Sequence, residues 1–178
     1  MNEIPLQKVR KIVLSIRQKR DFPSKIKHFK SNHNDLDLLL NIIYTEEEYP
    51  LTEYATWILV HLTKSDSSLV QQYYTPLVDV LFKTNNQTIL RNITNVLNHL
   101  SITTYRESEV IDLLINFIQD ANNKVALQVY SMYVLIQFVH IYPELKQEII
   151  EIIELNSIQK SAAYNAAYRN FLQAAKKI

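Results

Sequence analysis

Apolar residues recur at i, i+7, i+8 and i+11 in three successive stretches: Leu51, Ile58, Leu59, Leu62; Ile89, Val96, Leu97, Leu100; and Leu127, Val134, Leu135, Phe138. That spacing returns to one side of a 3.6-residue helix, and the three stretches superpose when the chain is shifted by about 38 residues. The same shift carries Tyr73 onto Ile111 and Ile149, and Leu77 onto Ile115 and Ile153, which marks a second helix in each unit. It also carries Asn85 onto Asn123, in the turn that closes the unit. A helix pair cannot bury its apolar side alone, so a fixed period of this length implies that neighbouring pairs stack. The pattern predicts an all-α, right-handed α–α superhelix of antiparallel helix pairs, with three pairs over residues 46–157 of a single domain spanning 1–178.

The two flanks depart from the register, as the ends of a solenoid must when they show water a side that inner units bury. Residues 1–45 read as an atypical cap. They hold an amphipathic helix with Leu6, Val9, Ile12, Val13 and Ile16 on one arc, a short helix near Ser24–Ser31, and a third from Asp35 to Tyr44. Residues 158–178 read as a closing helix carrying Ala162, Ala163, Tyr164, Ala167, Tyr168 and Phe171. Thr104 and Glu107 have the spacing of a capping box, Pro143 suits the first turn of a helix, and Pro76 requires a kink or a restart.

Composition narrows the chemistry. The chain of 178 residues has no glycine, where the usual ~7% would give about 12. Phosphate loops, dinucleotide fingerprints, calcium-binding hands and nucleophile elbows all need glycine, so none is expected. Asparagine is then expected to take left-handed positions at helix ends, at Asn85–Asn86, Asn122–Asn123 and Asn156. The absence of cysteine removes disulfides and thiolate sites and fits a reducing compartment. The longest apolar runs are short and interrupted, and the amino-terminal stretch lacks a signal-peptide pattern, so a cytoplasmic protein without a membrane span is expected.

The run Ala55–Leu62 (ATWILVHL), and above all Lys124–Ile149 (KVALQVYSMYVLIQFVHIYPELKQEI), resemble HEAT-like helical repeat proteins. With the last helix, the chain is similar to a family of small HEAT-like proteins of Bacteroidetes over roughly residues 35–175. Some members of that family carry an adenylosuccinate lyase label. That lyase is much larger and uses a glycine-bearing mobile loop with a catalytic serine, and no such loop can be drawn on a chain without glycine. The resemblance implies a fold and no activity.

Candidate chemistry is sparse. His61 and His99 occupy equivalent positions, but the third copy has Gln137 there, so the pair reads as structural rather than as metal ligands, and His28, His33 and His140 earn the same reading. The acidic clusters Glu46, Glu47, Glu48; Glu107, Glu109, Asp112; and Glu144, Glu148, Glu151 read as solvated helix surfaces. No enzyme, cofactor or metal is expected. Tyr54, Trp57 and Tyr130 offer apolar area with a polar handle, suited either to packing between repeats or to a partner; Tyr54 and Tyr130 share one register slot.

Charge is the unevenly distributed property. Residues 1–34 hold Lys8, Arg10, Lys11, Arg17, Lys19, Arg20, Lys25, Lys27 and Lys30 against Glu3 and Asp21, a net of +7, and the rest of the chain carries −6. The basic end can meet phosphates or an anionic surface, or simply pair with the protein's own acids. The leading expectation is a non-enzymatic scaffold that binds a protein or peptide on the solenoid surface. The alternative is nucleic-acid binding through the basic segment, by fold-level analogy with DNA-alkylation-repeat proteins. The oligomeric state is left open.

Overall fold

The computed structural model describes residues 3–17, 22–157 and 161–177, and every regular element within them is helical. The all-α expectation is met. The chain divides into two compact units, Met1–Leu100 and Ser101–Ile178.

The first unit contains α1 (Glu3–Leu14) running into a 3-10 turn (Ser15–Arg17), α2 (Phe22–Ser31), α3 (His33–Thr45), α4 (Leu51–Ser65), the single turn α5 (Ser68–Gln71), α6 (Tyr74–Lys83) and α7 (Gln87–Leu97). α4 is its hub and packs on α1, α2, α3 and α7. The stripe read from the sequence is the reason: Leu51, Ile58, Leu59 and Leu62 of α4 are buried, as are Ile89, Val96 and Leu97 of α7 and Leu100 just beyond it. Each such side chain contributes roughly 1.5–3 kcal/mol on leaving water. This outweighs the poor intrinsic propensity of α7, which carries two threonines and two asparagines. Val9 and Val13 of α1, Phe29 of α2 and Leu36, Leu39 and Ile43 of α3 complete the core, with Leu6 and Ile12 half-buried at the edge of their arc.

The second unit contains α8 (Glu107–Gln119), α9 (Val125–Ile141), a 3-10 turn (Pro143–Leu145), α10 (Lys146–Leu155) and α11 (Ala162–Ala175). α9 is apolar around most of its circumference because it is covered by two neighbours, α8 and α11. Leu127, Val134, Leu135 and Phe138 are all buried in it. The closing helix presents Tyr164, Ala167, Phe171 and Ala175 at helical spacing, and the Tyr164 hydroxyl donates to the Ile153 carbonyl at 3.1 Å.

Several local expectations are corrected. The left-handed positions are held by Glu46 (φ 49°) and Arg106 (φ 51°), and none of the asparagines adopts that conformation among the described residues. Asparagine marks helix ends through its side chain instead: Asn86 accepts from the backbone of Thr88 and Ile89 at the start of α7, Asn123 donates to the Phe117 carbonyl, and Asn156 donates to the Ile152 carbonyl. Thr104 does not form a capping box. α8 starts at Glu107 after the left-handed Arg106, which leaves Thr104 two residues outside the cap position. In the second helices of the repeats, Tyr73 and Ile115 are half-buried, and their neighbours Tyr74 and Leu114 supply the buried contacts. Tyr73 precedes α6 as its cap residue and gives its hydroxyl to the Asp37 carboxylate. Pro76 restarts the helix rather than kinking it: it lies in the first turn of α6, where no N–H is required.

Candidate functional site

The 38-residue shift places Glu53 and Tyr54 of α4 at the same register positions as Arg91 and Asn92 of α7. α4 and α7 pack against each other, so these four side chains meet at one cleft of about 660 Å³. Tyr49, Trp57, Asn86, Thr88 and Ile16 complete its lining. Aromatic area faces the opening: Trp57 is 39% exposed and Tyr49 72%.

A hydrogen-bonded chain runs beneath the cleft. Arg91 donates from Nε (3.3 Å) and Nη2 (3.0 Å) to Asn92 Oδ1. Asn92 Nδ2 donates to Thr56 Oγ1 at 2.9 Å, and Thr56 Oγ1 donates to the Glu53 carbonyl at 2.9 Å. Asn92 and Thr56 are buried, and each both donates and accepts within this chain, so the link between α4 and α7 is fixed in direction. Above it, Asn86 Nδ2 donates to Glu53 Oε1 at 2.7 Å, and Glu53 Oε2 is shielded from water without a hydrogen-bond partner.

Trp57 divides its surface between packing and the opening. Its ring lies 4.5 Å from that of Phe22 and 4.8 Å from that of His61, and Phe22 lies 4.7 Å from His61, centroid to centroid. Burial, and then the nearby Lys64 ammonium, hold His61 below the ordinary histidine value, so the neutral ring is the one that stacks. His99 lies exposed beyond the end of α7. Among the described residues no group of three or more histidine, aspartate or glutamate side chains gathers as a metal site requires. Tyr130, the third aromatic singled out from the sequence, is half-buried on α9 in the second unit and does not line this cleft.

Among the described side chains of the basic segment, Lys8, Arg10, Lys25 and Lys30 are engaged with the protein itself. Lys8 donates to Asp35 at 2.9 Å, Arg10 grips Glu47 through two 2.8 Å bonds, and Lys30 lies 4.0 Å from Asp66. Lys25 is buried and donates to the Ser15 carbonyl at 2.6 Å, tying α2 to the 3-10 turn. Lys11 and Lys27 are exposed. Lys19 and Arg20 lie outside the described residues, as does the side chain of Arg17. The acidic clusters are likewise dispersed: Glu47 serves Arg10, Glu107 accepts from the Tyr142 hydroxyl at 2.6 Å, and Glu109 pairs with Arg106 at 2.8 Å.

Asp35 joins α1, α2 and α3, because its Oδ2 meets both Lys8 Nζ and His28 Nε2, the latter at 2.7 Å. Burial alone would raise its pKa, but the hydrogen bonds from Lys8 and His28 outweigh that and hold the carboxyl below its ordinary value. A carboxylate with a depressed folded pKa adds stability that is complete above its unfolded pKa of about 4 and disappears as pH falls through the folded value. Asp35→Asn is therefore expected to flatten the acid limb of the stability curve below about pH 4. Urea unfolding followed by Trp57 emission at pH 6 and pH 3 checks this, and an unchanged pH slope in the variant would refute it.

No helix among the described residues is long and apolar enough to cross a membrane. Residues 9–175, nearly the whole chain, match the family described as HEAT repeat domain. No curated protein and no solved structure matches the chain.

Proposed function

Because the chain belongs to the HEAT repeat domain family, whose members are generally non-catalytic protein-interaction scaffolds, we propose that it binds a peptide segment of a partner protein in the cleft between α4 and α7. The observation that carries this reading is the union of Trp57, Tyr54 and Tyr49 with the amide of Asn86 and the hydroxyl of Thr88 in one concavity. Aromatic rings supply contact area for a side chain at low entropic cost, and the polar groups can meet a main chain that offers both donors and acceptors. Nucleic-acid binding through the amino-terminal segment has less support, since Lys8, Arg10 and Lys30 already neutralise Asp35, Glu47 and Asp66.

Selection of random displayed dodecapeptides on the purified protein tests the proposal. Peptides are expected to be enriched on the parent and lost on the double variant Tyr54→Ala, Trp57→Ala. Enrichment that survives the double variant would move the site elsewhere, and no enrichment at all would defeat the reading.

A further inference from the structure

We infer that the occupant of this cleft is an acidic-hydrophobic peptide, which sets an aromatic or aliphatic side chain against Trp57 and Tyr54 and a carboxylate on the Arg91 guanidinium. This rests on the cleft's being the peptide site proposed above.

The charge balance of the first unit points to Arg91. Lys8, Arg10, Lys30 and Lys83 each lie within ion-pair distance of an acid, namely Asp35, Glu47, Asp66 and Glu46. Arg91 is the sole charged residue of α7, is half-buried, and among the described residues has no carboxylate within 4 Å. Its bonds go to the neutral amide of Asn92, which orients the guanidinium without cancelling its charge. A guanidinium has five N–H donors, and Asn92 engages only Nε and Nη2, so Nη1 keeps both of its own. The chain from Asn92 through Thr56 to the Glu53 carbonyl holds the planar group in place before any ligand arrives. A preoriented fork of this kind matches a carboxylate and loses little freedom on binding one.

Glu53 is the opposing charge in the cleft, and it decides between an acidic and a basic occupant. One of its oxygens accepts from Asn86 and the other is closed to solvent, so Glu53 offers an incoming cation little, whereas Arg91 keeps both Nη1 donors for a carboxylate. An acidic peptide can thus serve Arg91 with a side chain. A basic peptide would place its cations against an arginine that has no counter-charge.

The protein's single tryptophan is Trp57, so its emission reports on the cleft directly. The probes are two blocked hexapeptides, each with phenylalanine and leucine at the centre, flanked on both sides by acidic pairs in one and by lysine pairs in the other. The acidic probe is expected to shift Trp57 emission and to bind at least tenfold more tightly than the lysine probe. Arg91→Gln should weaken it about ten- to hundredfold, the usual consequence of losing a charge-assisted hydrogen bond. Arg91→Lys should recover part of that loss, Arg91→Glu should reverse the preference, and Glu53→Gln should leave the acidic probe as tight or tighter. Circular dichroism of each variant establishes that it is folded. Equal affinity for both probes, preference for lysine, or an unchanged affinity in Arg91→Gln would overturn the inference. If displayed peptides are enriched without acidic residues and still bind Arg91→Gln, the cleft stands and its acidic preference falls. If neither hexapeptides nor displayed peptides bind, both fall together.

Discussion

Leu59→Ala should lower the free energy of unfolding of the first unit by about 3 kcal/mol, within the 2–5 kcal/mol that buried leucine truncations cost. Leu59 is fully buried on α4, the helix that touches α1, α2, α3 and α7, so the cavity opens where several elements converge and none can close it alone. For a unit of this size such a loss is a large share of an ordinary stability of about 5–15 kcal/mol. Leu155 provides the control: it is 75% exposed at the end of α10, and Leu155→Ala should stay within about 0.5 kcal/mol of the parent. Denaturant unfolding read by Trp57 emission for Leu59→Ala, and by circular dichroism for Leu155→Ala, measures both. A Leu59→Ala effect as small as that of Leu155→Ala would mean that the repeated stripe does not form the core.

Gln128→Ala is expected to cost about 2–4 kcal/mol, from lost packing together with the penalty of leaving the buried Ile118 carbonyl without its side-chain partner. Gln128 is fully buried on α9, and its Nε2 donates to the carbonyls of Ile118 (3.3 Å) and Asp120 (3.1 Å). The last carbonyls of any helix lack intrahelical partners, and glycine-based turns often satisfy them. In a chain without glycine, α8 ends instead on side chains from the adjoining turn and from α9: Asn123 to Phe117, and Gln128 to Ile118 and Asp120. Gln128→Leu separates the two contributions, since it refills the volume and leaves the Ile118 carbonyl without its side-chain partner. It should recover only part of the loss in equilibrium unfolding, and a Gln128→Leu protein as stable as the parent would show that those hydrogen bonds contribute nothing net.

The candidate cleft is partly legible in the order of residues. Tyr54 and Trp57 stand out as aromatic residues beside a buried stripe, and both line it. Arg91, Asn92 and Glu53 do not stand out in that way, although the shift that exposes the apolar repeat also aligns Glu53 with Arg91 and Tyr54 with Asn92. An arginine in an otherwise uncharged helix is the signal that points to them. Composition is a poorer guide to the basic amino-terminal segment. A net charge counts ions without their partners, and Asp35, Glu47 and Asp66 lie 27, 37 and 36 positions away from Lys8, Arg10 and Lys30.

Helical periodicity is a local property, repeated every turn, so the order of residues was enough to establish an all-helical chain and to identify Leu59, Leu97 and Leu135 as buried. The lack of glycine, equally visible there, required other residues to close helix ends. Which residues do so was a matter of packing: Glu46 closes α3 through its own left-handed backbone, and the Gln128 side chain reaches back to α8. Distance in space, rather than along the chain, decided that Lys8 would meet Asp35 and Arg10 would meet Glu47, because a charge responds to whatever the fold brings within a few ångströms of it.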